Sequence, residues 1–439
     1  MKLPSIKGFD EEAFNKYLKN TGWLMFGKAL SLIVNLLIAR YLGPILFGDL
    51  SFGLSLVAIL AAIGGLGLDT FIIREIIQEP SRRDEILGTS LGLRMITNGV
   101  LIPVAIGIYL FSHHFSKNPG EPLTLLIALL AFASFFKSFN VIDSYFQSQV
   151  QSKYVVQVQN VSLILTSIFK ILIVTMGLPL IYIVSAYILD AVILAIGLIM
   201  TYQKRGLKIL NWQFNKQRAK SLLIQSSPLI LSAVMVTIYM KIDVVMLKSV
   251  GSKAVGIYSS AQNLSEAWYF IPSAIVTSVF PALLNARKTD FSRYQKRLGN
   301  LYDLLVYINI PIAIFISFFG ADIIHIAYSG KYDGAGPMLS IHIWSGIFVF
   351  LGMASSQYLI AEGYTKISFY RTAAGATANI LLNLWLIPKF AGVGASIATL
   401  IACFISTFYV LLIPKTRQQG IMMLKSLFLI TAFQKIFKS

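Results

Sequence analysis

Long apolar runs separated by short polar segments dominate the pattern of this chain. Twelve stretches are apolar over about 20 residues, the length at which a helix crosses the hydrocarbon core of a bilayer. They cover residues 22–39, 47–68, 88–111, 123–142, 155–176, 180–202, 221–247, 255–284, 298–320, 337–361, 367–387 and 391–413. Because the alternating pattern of a transmembrane barrel does not occur, we predict an all-α integral membrane protein with about twelve transmembrane helices.

The composition agrees with this prediction. Of the 439 residues, 56% are hydrophobic and 13% are charged, whereas a soluble domain carries about 25% charged residues. A soluble enzyme and a disordered chain are therefore excluded. The one cysteine, Cys403, lies in an apolar run and rules out a disulfide framework or a cysteine-based metal site. No catalytic motif is present, so we expect neither an enzyme nor a cofactor nor a metal.

The positive charge is distributed unevenly along the chain. The net charge is +18, and 26 of the 37 Lys and Arg residues lie in the N-terminal segment, the C-terminal segment and every second connection between spans. The remaining connections hold only 6. This positive-inside bias predicts that both termini are cytoplasmic. The basic excess is thus a topology signal and an attraction to anionic membrane lipid, and we expect no nucleic-acid partner.

The chain contains an internal repeat. The segment "RYLGPILFGDLSFGLSL", residues 40–56, aligns without a gap with "KSVGSKAVGIYSSAQNL", residues 248–264, at an offset of 208. Gly43 then corresponds to Gly251, and Gly48 corresponds to Gly256. Residues 152–160 and 365–373 match more loosely. Since each half has an even number of spans, the halves have the same orientation and are related by an axis along the membrane normal.

The repeat divides the chain into two six-helix lobes with a cleft between them. We expect a cytoplasmic N-terminal segment over residues 1–20, a first lobe over 21–202 and a basic cytoplasmic linker over 203–220. A second lobe follows over 221–413. Residues 414–439 are interpreted as a cytoplasmic amphipathic tail that lies on the inner leaflet.

Charged side chains inside the spans are costly and are therefore candidates for function. Nine charged residues of the spans are considered as candidates, five cations and four anions: Lys28, Arg94, Lys137, Lys170 and Lys241, with Asp190, Asp243, Glu266 and Asp303. Four of these lie on the leading helices of the two lobes, which we expect to face the cleft. A basic cleft beside an apolar flank suits a lipid whose head group carries phosphate.

We predict that Lys28 and Lys241 bind the phosphate groups of the substrate, with Asn35 and Gln262 as polar companions. Offset 208 maps Lys28 onto Val236, five residues before Lys241, so the two charges differ in depth by about 7–8 Å. The alternative for Lys241 is a structural role in which its ammonium group snorkels to the outer interface.

For ion coupling, the first candidate is Glu266 and the second is Asp243. The alternative for Glu266 is a fixed ion pair with a neighbouring lysine, and for Asp243 it is a solvated position at the outer end of its helix. In the first lobe, Arg94 is expected to pair with Asp190. Asp303, near a cytoplasmic helix end, is expected to be solvated.

Three segments resemble a known family. The stretch "LIARYLGPILFGDLSFGLSLVAILAAIGGLGLDTFIIREI", residues 37–76, is similar to the opening signature of Wzx-type oligosaccharide flippases, the polysaccharide biosynthesis proteins. Residues 240–284 and 379–402 are also typical of that family. The family belongs to the multidrug/oligosaccharidyl-lipid/polysaccharide (MOP) exporter superfamily. The resemblance covers nearly the whole chain, and it implies two six-helix lobes and alternating access.

The resemblance also implies a substrate and a setting. The substrate would be a polyprenyl diphosphate-linked oligosaccharide, moved to the outer leaflet for surface polysaccharide or O-antigen synthesis. The protein would be a monomer in a bacterial or archaeal cytoplasmic membrane, beside other polysaccharide assembly proteins. Two alternatives remain: a multidrug and toxin extrusion (MATE) cation antiporter of the same superfamily, and a scaffold that transports nothing. The related MurJ-type lipid II flippases have fourteen helices, so twelve spans disfavour that function.

Overall fold

The chain folds into helices joined by short connections. The computed structural model describes residues 11–114 and 122–430, and the regular elements within them are all helical. Residues 1–10 of the predicted N-terminal segment and 431–439 of the predicted tail lie outside this part. The α-helices are α1 Glu11–Gly64, α2 Asp69–Gln78, α3 Arg83–His114, α4 Thr124–Phe136, α5 Val141–Ser148, α6 Lys153–Thr175, α7 Leu180–Gln203, α8 Lys216–Leu247, α9 Ser252–Glu266, α10 Phe270–Thr289, α11 Phe291–Tyr328, α12 Gly336–His342, α13 Ser345–Ala361, α14 Thr365–Phe408 and α15 Arg417–Leu427.

The predicted all-α membrane architecture is confirmed, and the number of spans depends on how bent helices are counted. In the described residues, nine helices are long and apolar enough to cross a membrane, or ten if the pair that meets at 41° near residue 343 is one broken span. Two of them, Gly27–Gln78 and Thr365–Leu412, have 52 and 48 residues. At 1.5 Å per residue each exceeds twice the bilayer core of about 30 Å. Each is therefore long enough for two crossings, although the count of twelve stays a prediction.

Both of these long helices break at the point where the sequence predicts a connection. Helix α1 breaks at Gly43, whose φ of 69° and ψ of 174° glycine adopts without steric strain. Helix α14 breaks at Ala391, with φ 46° and ψ −126°, in a region that disfavours a residue with a Cβ atom. Pro44 and Pro388 lie beside these breaks, and proline disrupts the hydrogen-bond ladder of a helix.

Three clusters of buried apolar side chains hold the bundle together. One contains Ile72 and Phe146 of the first lobe and also packs Leu222 near the start of α8. A second lies within the second lobe and contains Tyr302 and Phe350. The third joins the lobes, because it packs residues such as Leu50 of α1 against helices of the second lobe. The two lobes therefore share a continuous apolar interface as well as having cores of their own.

The lobes meet at two equivalent glycines. A Cβ atom added at Gly48 would lie 1.9 Å from the carbonyl oxygen of Ser252, and one added at Gly256 would lie 1.9 Å from the carbonyl oxygen of Pro44. Ser252 follows Pro44 by 208 residues, so the two contacts are each other's counterparts in the repeat. A reciprocal contact of this kind is what a two-fold axis between two similar bodies produces. We call this contact the glycine crossing.

Polar contacts surround the glycine crossing at the end of the bundle opposite the linker, which we call the distal end. The Lys248 ammonium lies 2.6 Å from a carboxylate oxygen of Asp49 in the other lobe. The Arg40 guanidinium donates to the carbonyl oxygen of Ala327 at 2.6 Å. The Tyr332 hydroxyl donates to the carbonyl oxygen of Ala39 at 2.8 Å. The distal end is thus closed by contacts between lobes.

At the opposite, linker end, three ion pairs of one arginine help to attach the start of α8 to the first lobe. Arg218 contacts Glu75 at 2.7 Å, Glu79 at 2.9 Å and Glu85 at 3.0 Å. These bonds raise the pKa of the Arg218 guanidinium despite its desolvation, and the bond from Arg218 holds the pKa of the exposed Glu79 carboxyl below its usual range. Asn215 caps α8 by accepting from the backbone N–H groups of Gln217 and Arg218.

Helix α15, part of the predicted tail, docks on the second lobe through a polar face. The Gln419 amide donates to the Tyr302 hydroxyl at 2.8 Å, and the Ser426 hydroxyl donates to the Asp303 carboxylate at 2.7 Å. Asp303 is only 4% exposed, so the expectation that it is solvated was wrong. Sequence reasoning placed it near a helix end, and α15 covers that end. The membrane-surface position of the tail stays a prediction.

Candidate functional site

A polar cavity of about 260 Å³ lies between the lobes. Its lining comes from α1, α7, α8 and α9, and comprises Asn35, Ile38, Phe47, Leu50, Ser51, Leu54, Ser55, Ala58, Tyr187, Lys241, Val244, Ser259, Gln262 and Asn263. Asn35 and Ala58 are 23 residues apart, which is about 35 Å along a straight helix. Both can line one cavity only because α1 breaks at Gly43 and its two segments lie near each other.

The cavity lies on the axis of the repeat. Three pairs of lining residues are separated by the offset of 208: Ser51 with Ser259, Leu54 with Gln262, and Ser55 with Asn263. The serines match in the first pair, whereas the second lobe contributes amides where the first contributes Leu54 and Ser55. Lys241 and Glu266 correspond to Ile33 and Ala58, so the charge at this site comes from the second lobe.

Three of the four predicted substrate-binding residues line this cavity, namely Asn35, Lys241 and Gln262. The fourth, Lys28, is exposed and is not among the lining residues. It lies seven residues before Asn35 on α1, about 10 Å further toward the linker end. The structure therefore brings together the amides and one of the two lysines. The substrate role of all four stays a prediction.

Lys241 and Glu266 form an ion pair at the cavity. The ammonium nitrogen of Lys241 lies 3.2 Å from Glu266 Oε2, and the two side chains are 30% and 20% exposed. The Gln262 amide donates to Glu266 Oε1 at 2.8 Å. This arrangement joins a residue predicted to bind substrate to the residue predicted first for ion coupling. Both side chains keep part of their exposure, so the two charges have lost only part of their hydration. An incoming anion can therefore replace the Glu266 carboxylate as the partner of the Lys241 ammonium group.

Asp243, the second candidate for ion coupling, points away from the cavity into the second lobe. It is 0% exposed, so the alternative of a solvated helix end was wrong. Its carboxylate accepts from the Tyr258 hydroxyl at 3.0 Å and the Thr399 hydroxyl at 2.6 Å. The amide of Asn383 also donates to it and contacts Asn379 in turn.

This second-lobe cluster lacks a cationic partner for its carboxylate among the described ion pairs. A buried charge without a counter-charge is strongly unfavourable. Either a proton or a bound cation neutralises it, and amide, hydroxyl and carboxylate oxygens suit a hard cation. Sequence reasoning named Asp243 but missed Thr399 and the two amides of this cluster. The spacing of Asn379 and Asn383, one helical turn apart within an apolar span, was the available signal.

In the first lobe, the expected pairing of Arg94 with Asp190 was wrong. Arg94 contacts Asp69 at 2.8 Å, and Asp69 also accepts from the Ser144 hydroxyl at 3.0 Å. Asp190 instead accepts from the Ser162 hydroxyl at 2.7 Å. The positions along the chain gave depths but did not show which face of each helix meets which neighbour.

Comparison with known proteins begins with family models. The model of the polysaccharide biosynthesis protein family matches residues 17–286, and the MatE model matches residues 228–385. A probable flippase, AglR, from Haloferax volcanii is 28% identical over 174 residues, which are 38% of this chain and 36% of that protein. An uncharacterised membrane protein of Methanocaldococcus jannaschii is 30% identical over 189 residues, 42% of this chain and 43% of that protein. The matched segments thus span less than half of either relative.

Solved structures agree on the fold. The lipid II flippase MurJ in an inward closed conformation superposes with a TM-score of 0.76 at 17% identity, over 95% of this chain and 93% of that one. An inward-facing multidrug resistance MATE transporter of the MOP superfamily gives 0.71 at 17% identity, over 91% and 96%. A MOP superfamily transporter from Pyrococcus furiosus gives 0.65 at 15%, over 95% and 96%.

These neighbours and AglR are flippases or transporters by name, which agrees with the expectation that the chain is not an enzyme. Their low identity to the chain makes the structural likeness evidence of fold. The family itself rests on the sequence model, which covers well over half of the residues. The chain therefore belongs to the polysaccharide biosynthesis protein family and has the fold of MOP superfamily transporters, as its sequence resemblance predicted.

Proposed function

We propose that the protein is a flippase that moves polyprenyl diphosphate-linked oligosaccharides from the cytoplasmic to the outer leaflet by alternating access. The product would serve the synthesis of a surface polysaccharide such as O-antigen. The observation that carries the proposal is a polar cavity between the lobes with an apolar groove beside it. A lipid-linked sugar has the same division into a polar head and an apolar chain.

The apolar groove has a volume of about 380 Å³. Its lining is entirely apolar: Leu32, Leu264, Ala267, Trp268, Pro311, Ile312, Phe315, Ile316, Ile323 and Leu339. Leu264 directly follows Asn263 of the cavity lining, and Leu32 precedes Asn35 by three residues. The same two helices, α1 and α9, therefore border both spaces. A prenyl chain fits the groove while its head group occupies the cavity.

In this mechanism Lys241 recruits the diphosphate, and Glu266 competes for the same ammonium group. Asn35 and Gln262 donate to sugar or phosphate oxygens. Protonation of Glu266 frees Lys241 to bind the anion, whereas ionised Glu266 displaces the anion. The titratable groups whose charge acts on Glu266 or is acted on by it include Lys241, His342, Tyr258, Tyr269 and Cys403. Proton binding by Glu266 is thereby coupled to substrate binding by Lys241, although Glu266 does not contact the substrate.

Asp243 supplies a second ion site in this proposal. Its buried cluster is lined by oxygen atoms, and α8 carries both Asp243 and Lys241. An ion that enters or leaves the Asp243 cluster changes the packing of α8 against α14, and α8 transmits that change to the cavity. Lys28, exposed near the cytoplasmic third of α1, acts in an earlier stage by attracting the diphosphate.

The setting follows from the charge distribution. We place the protein as a monomer in a bacterial or archaeal cytoplasmic membrane, with both termini in the cytoplasm and the distal end outside. Polysaccharide assembly proteins would accept the product at the outer leaflet. The MatE match over residues 228–385 and the buried acid of the second lobe favour a cation antiporter as the second candidate.

Reconstitution in vesicles separates these functions. A polyprenyl diphosphate-linked sugar with a fluorescent label is incorporated in both leaflets, and dithionite destroys the label that reaches the outside. Protein-dependent loss of the protected half is expected for the flippase. Efflux of ethidium without movement of the labelled lipid would instead establish the antiporter. Movement of neither probe, with correctly inserted protein, would overturn transport and favour a scaffold.

A further inference from the structure

The wall of the cavity opposite Lys241 is uncharged. Among the lining residues, the first lobe contributes serines, Asn35, apolar side chains and Tyr187. The only ammonium group at the cavity surface is that of Lys241, and Glu266 already neutralises it at 3.2 Å. A diphosphate with more than one negative charge is therefore incompletely compensated by the lining residues alone.

A second ammonium group lies directly behind this wall. The Nζ atom of Lys170, on α6, is 4.0 Å from the centre of the Tyr187 ring. Lys170 is five residues from the distal end of α6, and Lys241 is six residues from the distal end of α8. At 1.5 Å per residue the two lysines lie about 8–9 Å from the ends of their helices. They are thus at a similar depth in opposite lobes, and the Tyr187 ring that contacts Lys170 also lines the cavity.

The surroundings of Lys170 leave its charge weakly compensated. The described structure shows no carboxylate oxygen within 4.0 Å of its ammonium group. Asp190, the acid that lies nearest along α7, accepts hydrogen bonds from Ser162 and Thr166 instead. The charge of Asp190 acts on Lys170 from beyond ion-pair distance, and the π face of Tyr187 is its direct contact. A cation–π contact stabilises a cation less than an ion pair with good geometry does. A charge in this state favours an anion that reaches it.

We propose that Lys170 is a second phosphate-binding residue of the cavity and that Tyr187 acts as its shutter. When the Tyr187 ring turns aside, the diphosphate of a lipid-linked substrate bridges Lys170 in the first lobe and Lys241 in the second. When the ring returns, it covers Lys170 and displaces the phosphate. This inference rests on the proposed function, because the ligand it names is the head group of that substrate.

Binding of farnesyl diphosphate by the purified full-length chain tests the proposal, with farnesol as the control that lacks phosphate. Lys170→Met is expected to weaken farnesyl diphosphate binding by about tenfold, the effect of losing one charge-assisted contact, and to leave farnesol binding unchanged. Lys170→Arg should keep most of the affinity. The matched control is Lys389→Met, because Lys389 also lies over an aromatic ring, at 4.5 Å from Trp385, but away from the cavity.

The possible outcomes separate the role of Lys170 from the proposed function. Wild-type protein that does not bind farnesyl diphosphate would overturn the diphosphate class, and with it the proposed function. If the Lys170→Met variant binds farnesyl diphosphate as well as the wild type does, only the role of Lys170 is overturned. Equal losses in Lys170→Met and Lys389→Met would also overturn it, because a general change in surface charge would then explain the loss.

A labelling experiment tests the shutter independently of affinity. The chain has one cysteine, so Lys170→Cys is made together with Cys403→Ser and treated with a sulfonated methanethiosulfonate reagent. Slow labelling is expected with Tyr187 in place, and at least tenfold faster labelling after Tyr187→Ala. Farnesyl diphosphate should protect the cysteine in the Tyr187→Ala background. Equal labelling rates with and without the ring would overturn the shutter, whatever the affinities are.

Discussion

At the scale of single residues, the contact between Lys241 and Glu266 decides how the cavity responds to an anion. The two groups lie 3.2 Å apart with 30% and 20% of their side chains exposed. Because the pair is neutral, a phosphate must compete with a carboxylate for one ammonium group. In the proposed mechanism, Glu266 therefore limits the affinity for substrate.

Glu266→Gln removes the competitor and should tighten the binding of farnesyl diphosphate at neutral pH by about tenfold. Binding titrations at neutral pH check this effect. Glu362→Gln is the control, since it breaks a comparable pair with Arg287 at 2.7 Å away from the cavity. Unchanged affinity in Glu266→Gln would contradict the competition mechanism.

The two predicted lysines should differ in their effect on transport. Lys241→Met removes the charge at the cavity, whereas Lys28→Met removes an exposed charge about 10 Å from the lining residue Asn35. Lys241 lines the cavity and Lys28 does not, so transport should fall further with Lys241→Met, at equal membrane levels. Initial rates in vesicles measure the difference. Full activity in both variants would remove both lysines from the site.

The sequence alone predicted much of this chemistry and missed its geometry. Position in a span identified Lys241, Glu266, Asn35 and Gln262, because polar groups in an apolar run require a partner or a function. It did not show that Glu266 faces Lys241 and that Asp243 faces the opposite way. That distinction depends on helix rotation, which position within a span does not determine.

At the scale of helices, the glycine crossing fixes how α1 and α9 approach each other. The backbones touch because neither Gly48 nor Gly256 has a side chain, the arrangement that small residues permit between membrane helices. The repeat alignment predicted that these glycines are equivalent. Their direct contact followed only from the structure, because an alignment of equivalent positions carries no information about which of them lie on the axis.

Gly256→Ala should force the distal ends of α1 and α9 apart. The added Cβ atom would lie 1.9 Å from the carbonyl oxygen of Pro44, a backbone atom that cannot move aside as a flexible side chain does. Overpacking of this kind costs about 1–3 kcal/mol. Thermal unfolding in detergent and cysteine cross-linking across the crossing measure the change. Gly99→Ala is the control, because nothing lies within 4 Å of its added Cβ atom. Equal behaviour of the two variants would contradict close contact at the crossing.

The linker contact provides a prediction about pH. Arg218 holds the pKa of Glu79 below its usual range, so the folded state binds the Glu79 proton less readily than the unfolded state does. The contact therefore stabilises the fold above the usual glutamate pKa, and the stabilisation is lost as the pH falls through the lowered value. Arg218→Gln should remove this dependence. Unfolding midpoints measured between pH 7 and pH 3 test it, and parallel profiles in the variant and the wild type would contradict it.

At the scale of the whole molecule, the two lobes are similar in backbone and different in chemistry. Lys170 of the first lobe corresponds to Asn383 of the second in the looser part of the repeat, at an offset of 213. The first lobe thus carries Lys170 at the position where the second carries Asn383, whose amide donates to the buried Asp243. We infer that Lys170 of the first lobe and Lys241 of the second share the anionic head group, while the Asp243 cluster of the second lobe responds to the coupling ion. The cavity on the axis is where both effects meet.

Alternating access requires that the distal contacts between lobes break, and the ion pair of Lys248 with Asp49 is the one most sensitive to charge. Both side chains are largely covered, at 21% and 11% exposure, so removal of one partner leaves a poorly solvated charge. Asp49→Asn should therefore favour the state with an open distal end. Spin labels on the exposed residues Ile45 and Lys253, in the Cys403→Ser background, report the separation of the lobes there by pulsed electron spectroscopy. We expect a longer distance to gain population in Asp49→Asn without substrate.

Asp333→Asn is the control, because its exposed pair with His325 lies at the distal end within the second lobe. A distance distribution unchanged by Asp49→Asn would show that the glycine crossing and the bonds of Arg40 and Tyr332 keep the distal end closed without this pair.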